Sequence, residues 1–88
     1  TQSVDAIAIG TQAGQTNQGT QAIAIGYQAG QASQAANSII INASGTFLNS
    51  NVASACFIRP LRSQIVPGTA GRVFYDSSTC ELYYSIPL

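Results

Sequence analysis

The sequence predicts an all-β chain in two parts: a stack of short strands, then a smaller β-structured segment closed by a hairpin. Three observations predict it. A sixteen-residue unit repeats along the first half. The heart of each unit alternates alanine and isoleucine with the period of a strand. After residue 45 the composition changes, and five of the seven aromatic residues and five of the six charged ones fall between Phe57 and Tyr84.

The repeat is the strongest of these signals. Residues 4–19 and 20–35 are identical at ten of sixteen positions. Ala6-Ile7-Ala8-Ile9-Gly10 returns as Ala22-Ile23-Ala24-Ile25-Gly26, and Gln12-Ala13-Gly14-Gln15 as Gln28-Ala29-Gly30-Gln31. A partial third copy, 36–45, carries Ser38-Ile39-Ile40-Ile41-Asn42 and then Ala43-Ser44-Gly45. Sixteen residues suit one coil of two short strands and two turns, each coil leaning on its neighbours. Gly10 and Gly26 are expected at the coil corners, where a positive φ costs glycine least, with the tolerant Asn42 as their third-copy counterpart. Gly14 and Gly30 mark the second bend. The glutamines, Thr16, Asn17 and Ser33 are read as covering the outward strand, solvated or laddered between coils.

Both faces of the Ala-Ile ribbon are apolar, so both are expected to be covered. Ile7, Ile9, Ile23, Ile25, Ile39 and Ile41 are read as filling the coil. Ala6, Ala8, Ala22 and Ala24 then face outward and admit a neighbouring chain closely; the reverse assignment of the two faces stays open, and the expectation that both are covered does not depend on it. A chain of 88 residues rich in alanine, glycine, serine and glutamine buries too little apolar surface alone. Another copy of the same chain is the simplest partner.

This half resembles the head repeats of trimeric autotransporter adhesins, with Asn37-Ser38-Ile39-Ile40-Ile41-Asn42 nearest that family's Asn-Ser-Ile-Ala-Ile-Gly motif. The resemblance covers about residues 4–45, though the period here is longer and the glutamine content higher. It implies left-handed parallel β-rolls, related to β-helices, packed three about one axis.

The expected domains are the repeats at 1–45, a transition at 46–55 and a trimerisation tip at 56–88. In the transition, Phe47 and Leu48 are placed to cap the open end of the stack. Cys56-Phe57-Ile58-Arg59 reads as a strand ended by Pro60, hence an edge or irregular one. Pro67-Gly68-Thr69-Ala70-Gly71 is a loop by composition. Arg72–Tyr75 and Cys80–Tyr84 are β-prone runs, and Asp76-Ser77-Ser78-Thr79 suits the hairpin loop between them. The aromatic and charged residues gathered here predict a small packed cap. Residues 56–85 also resemble a module of viral fibre proteins, found in bacteriophage tail fibres and in fibre-like proteins of large DNA viruses. Cys80 stands where that module commonly has lysine.

Together the two resemblances imply a homotrimeric fibre on a virion surface, contributing to host attachment. The alternative is the head of a bacterial surface adhesin that binds host ligands. A spike whose enzyme lies elsewhere is a third class.

Composition narrows the chemistry. The net charge is zero, charged residues make up 7% of the chain, and histidine is absent. Catalysis near neutral pH needs groups that titrate or attack there. Asp76 and Glu81 flank a turn, and Cys56 and Cys80 lack a histidine partner, so no catalytic, cofactor or metal-binding residue is assigned. The cysteines read as buried or half-buried thiols, with a disulfide between them as the other reading. The three arginines form no basic stripe for nucleic acid, and no apolar run is long enough for a membrane helix. Arg59, Arg62 and Arg72 have two readings: pairing with Asp76 and Glu81 across the assembly, or an anionic or glycan-binding surface. Phe57, Phe74, Tyr75, Leu82, Tyr83 and Tyr84 are expected to pack the tip. For Tyr27, Tyr75, Tyr83 and Tyr84, stacking on sugars is the competing role.

Overall fold

The computed structural model describes residues 3–65, 68 and 70–86. It is all-β. Four short strands, β1 (Ile7–Ile9), β2 (Ile23–Gly26), β3 (Ile39–Asn42) and β4 (Cys56–Arg59), form one parallel sheet in the order β1-β2-β3-β4. Ile7, Ile23, Ile39 and Cys56 stand in one column, Ala8, Ala24, Ile40 and Phe57 in the next, and Ile9, Ile25, Ile41 and Ile58 in the third. Each strand is reached after one complete coil. The spacing is sixteen residues up to β3 and seventeen from β3 to β4.

The connecting halves of the coils are also hydrogen-bonded to one another. Gly14 N donates to Ala29 O at 2.9 Å, Thr16 N to Gln31 O at 2.8 Å and Gly19 N to Gln34 O at 2.9 Å. Irregular backbone is tolerated here because its polar groups find partners one coil away. The chain turns through left-handed residues that recur with the repeat: Asp5, Gln21 and Asn37 at φ 59°, 58° and 58°, and Gln12 and Gln28 at 60° and 55°.

The faces of the strands are opposite to the expectation. The inward column is Ala8, Ala24, Ile40 and Phe57, and the isoleucines at 7, 9, 23, 25, 39 and 41 point away from the coil. Ala22, Ala24, Ala29 and Ile40 are fully buried, whereas Ile7, Ile9, Ile39 and Ile41 are exposed. Ala24, Ala29 and Ile40 form the core cluster, with Ala13, Leu48 and Phe57 packed against it. In the first two coils the apolar part of the interior is lined by methyl groups, with Ala13 packed against the cluster of Ala24, Ala29 and Ile40.

The interior also holds glutamine, expected on the outward strand and either solvated or laddered between coils; the ladder forms, but inside. Gln18 and Gln34 are 0% and 2% exposed. Gln34 Nε2 donates to Ile23 O at 3.0 Å and to Ser38 Oγ at 3.1 Å, and Gln18 Nε2 donates to Ile7 O at 2.7 Å. In the third coil the equivalent position is the buried Ser50. Ile40 and Leu48 stand there in place of the two alanines, so a smaller polar residue accompanies larger apolar ones. Leu48 therefore belongs inside the third coil, opposite Ala29, rather than on the end of the stack. Phe47 is exposed.

Gly10 and Gly26 have φ of 119° and 113°, and the backbone approach there is close. A Cβ on Gly26 would lie 1.9 Å from Asn42 O, and one on Gly10 would lie 2.8 Å from Gly26 O. Asn42 differs from the expected corner: it is the last residue of β3 and its φ is not positive. Its side chain instead holds the longer loop that follows, donating to Thr46 O at 2.6 Å and accepting from Ser44 N at 3.1 Å. The positive φ of this turn sits at Gly45, at 80°.

The domain limits also shift. β4 is the fourth strand of the parallel sheet, paired along its length with β3, so the stack runs to Arg59 rather than ending at residue 45. The second sheet is a hairpin of β5 (Arg72–Asp76) and β6 (Glu81–Ser85). Asp76 pairs with Glu81, so the loop is Ser77–Cys80, one residue later than expected. Of the expected 67–71 loop, Gly68, Ala70 and Gly71 are described and lie in no strand, and Pro67 and Thr69 lie outside the described residues. Among the described residues β5 and β6 contact no strand but each other, and the packed cap expected around them is not seen there.

Gly26→Ala is expected to destabilise the stack by about 3 kcal/mol or more, because its Cβ meets backbone that cannot yield. Gly45→Ala, where nothing lies within 4 Å, should cost about 1 kcal/mol for the left-handed φ alone. Thermal or denaturant melts followed by circular dichroism at fixed chain concentration check the ranking.

Candidate self-association surface

Because a strand alternates, turning Ala8, Ala24 and Ile40 into the coil puts the other six isoleucines of β1–β3 on the opposite face. The result is two parallel columns, Ile7-Ile23-Ile39-Cys56 and Ile9-Ile25-Ile41-Ile58, in register along the stack. At about 4.8 Å between strands, the four rows extend about 15 Å. Ile9 is 58% exposed and Ile39 39%. Ile7, Ile9, Ile39, Ile41 and Ile58 are exposed along these columns, so the strip is contiguous rather than a scatter of single apolar residues.

The hairpin is uncovered in the same way. Phe74 pairs with Tyr83 on one face, their rings stacked at 5.8 Å and 25°. Val73 with Tyr84 and Tyr75 with Leu82 occupy the other face. Val73 is 74% exposed and Tyr84 69%. Tyr83 packs on Phe74, yet Tyr27, Tyr75, Tyr83 and Tyr84 all remain exposed among the described residues. A lone two-stranded hairpin is marginal in water and needs a third layer.

The arginines are divided between the two parts. Arg59 turns back onto the loop after β3. Its Nε donates to Ser44 Oγ at 3.0 Å, and its guanidinium also donates to Thr46 Oγ1 at 3.1 Å and to Phe47 O. One forked side chain thus closes the wide end of the third coil. Sequence reading assigned Arg59 to the tip; the clue to its actual place was its seventeen-residue offset from Asn42. Arg62 and Arg72 are exposed, with Arg72 opening β5 opposite Ser85. Asp76 organises the hairpin turn, accepting from Ser78 N at 2.9 Å and Ser78 Oγ at 2.7 Å.

Cys56 and Cys80 are free and exposed, not buried as expected. Both line an open cleft of about 750 Å³ between the stack and the hairpin, together with Ile39, Ala55, Tyr75 and Leu82. A hydrogen bond with Cys80 and the nearby thiol charge raise the pKa of Tyr75 above the usual phenol value. Among the described residues no group of three or more His, Cys, Asp or Glu side chains could hold a metal ion. No helix among them is long and apolar enough to cross a membrane.

Comparison with protein-family models, with curated proteins and with solved structures finds no match to this chain. The surface must therefore be read from its own chemistry.

Hydrogen bonds from Ser78, by side chain and then by backbone, lower the pKa of Asp76 below its ordinary 3.8. A depressed carboxylate stabilises the fold above its unfolded pKa. The turn should therefore keep its order at neutral pH and lose it as the pH falls through the ordinary carboxylate range toward the lower folded value. Hydrogen exchange at the Ser78 amide reads this, and Asp76→Asn should remove the pH dependence. Arg59→Ala should loosen the 43–47 loop and lower the melting point, with the coils before β3 less affected, as amide exchange measured along the chain would show.

Proposed function

We propose that this chain is a structural segment of a homotrimeric fibre: three left-handed parallel β-rolls packed about one axis, closed by a β-structured tip. One observation carries the reading. The coil hides Ala22, Ala24 and Ala29 and leaves Ile7, Ile9, Ile39 and Ile41 exposed along two in-register columns, with Ile23 and Ile25 half-buried between them. The partner that suits a long, straight, in-register apolar strip is another such strip, and copies of the same chain supply it with matched spacing. Closed rotational symmetry lets every copy bury the strip at once, and an isolated chain cannot. The bare hairpin supports the same reading, because three hairpins can pack the aromatic faces that one cannot.

In this reading the alanines are coil filling and the isoleucines are the trimer contact, so the two roles read from the sequence change places. Arg62 and Arg72 are left to form ion pairs with Asp76 and Glu81 between chains, fixing the register of the tip. The work of the segment is shape, rigidity and assembly at a virion surface, with host attachment through the exposed tip tyrosines, where host glycans are the candidate ligands.

Sedimentation equilibrium or light scattering on the purified chain should give three times the chain mass at micromolar concentration. A stable, folded monomer overturns the proposal. Ile25→Asp, which sets three charges against one another at the middle of the strip, should abolish the trimer. Assembly strengthened or unchanged by that substitution would also sink it. The coding sequence on either side separates a virion fibre from a bacterial adhesin: a virion-attachment or chaperone region selects the first, a membrane-anchoring barrel the second.

A further inference from the structure

The open cleft between the stack and the hairpin brings the chain's two cysteines together. Ile39, Ala55 and Cys56 line it from the stack, and Tyr75, Cys80 and Leu82 from the hairpin. Each cysteine is the exception in its own surroundings. Cys56 closes an outward column whose other members are Ile7, Ile23 and Ile39. Cys80 ends the hairpin loop at φ 64°, a left-handed position that glycine or asparagine takes more easily. Neither the column nor the turn calls for sulfur, yet both thiols are free, exposed and on one cleft. The hairpin also has two unlike faces. Phe74 and Tyr83 cover one with their stacked rings, while the cross-strand pair Tyr75 and Leu82 belongs to the other and borders the cleft. Among the described residues β5 and β6 pair only with each other, so closing the cleft breaks no strand pairing there.

We propose that Cys56 and Cys80 of one chain form a redox latch, a disulfide that closes the cleft and seats the Tyr75–Leu82 face on the stack. The oxidant is a small-molecule disulfide, here oxidised glutathione. The thiolate of one cysteine attacks it, giving a mixed disulfide and releasing one glutathione as its thiol. The thiolate of the other cysteine attacks the protein sulfur of that mixed disulfide, and the second glutathione leaves as its thiol. Two protein thiols thus give up two protons and two electrons, and one small disulfide becomes two thiols. An excess of reduced glutathione runs the same steps backward. The latched stack supplies the covering layer that a two-stranded hairpin lacks, against Ile39 and Ala55, and leaves the Phe74–Tyr83 face free. Only the fourth row of the Ile7 column is used. The latch is internal to each chain and does not depend on association between copies.

The test equilibrates the full chain with graded ratios of oxidised to reduced glutathione, in native buffer and in urea, and quenches with acid. Cleavage after Arg62 and Arg72 separates the two cysteines, so an unreduced peptide map identifies the link by mass. A Cys56–Cys80 bond within chains of single mass is expected. Its effective concentration should be about a hundredfold higher in native buffer than in urea, and the latched chain should unfold with an equilibrium constant lower by the same factor. Leu82→Ala, which trims the seated face, should lower the native value about fivefold by removing apolar contact. The proposal is overturned by an effective concentration no higher in native buffer than in urea, by links that join separate chains, by mixed disulfides alone, or by a Leu82→Ala chain that latches as well as the parent.

Discussion

The width of the coil interior governs the rest of this structure. In the first two coils the apolar space between the sheet and the returning backbone is lined by alanine, Ala24 and Ala29 being fully buried, and the amides of Gln18 and Gln34 take up the rest of the interior. Dispersion rewards that fit and penalises anything wider. Because neighbouring side chains on a strand point to opposite faces, a methyl-lined interior commits every alternate isoleucine to the outside. The core of one chain is thus small by construction, and most of its large apolar residues remain available for contact with something else.

What a thin apolar core cannot supply, hydrogen bonding supplies in part. The connecting halves of the coils satisfy their backbone across the stack, and glutamine side chains repeat the same pattern inside it. Buried amides of this kind contribute little net stability when satisfied, yet they are costly when misaligned. Their contribution is register: a coil one residue too long would leave two buried amides without partners. The extra residue between β3 and β4 appears only after the buried glutamine has given way to Ser50, where that restriction has ended.

Much of this was legible in the residues. The sixteen-residue identity located β1, β2 and β3, and the aromatic runs located the hairpin to within a residue. The sequence pattern could not show which face of the ribbon turned inward, because alternation is symmetric between the two faces. Only the curvature of the backbone at Gly10 and Gly26, and the close approach it permits, decides in favour of alanine. The glutamines are expected on the outward strand, solvated or laddered between coils; the ladder is present, but Gln18 and Gln34 form it inside the coil although glutamine is mostly exposed in globular proteins. The sign of their burial was their exact recurrence beside variable neighbours such as Asn17 and Ser33. The strand at Cys56–Arg59 was visible, but its partner was not, since the repeat had decayed by one residue and the motif Ile-Ala-Ile had become Cys-Phe-Ile.

The inward column reads Ala8, Ala24, Ile40, Phe57, and its opposite side Ala13, Ala29, Leu48. The stack is therefore a taper with two different ends. The narrow coils present the same residues above and below, so a duplicated unit fits between them with every contact already specified. The broad end, filled by Phe57 and fastened by Arg59, fits only its own neighbours and fixes where the stack stops. In such a molecule length can change by simple genetic duplication while the terminus stays constant.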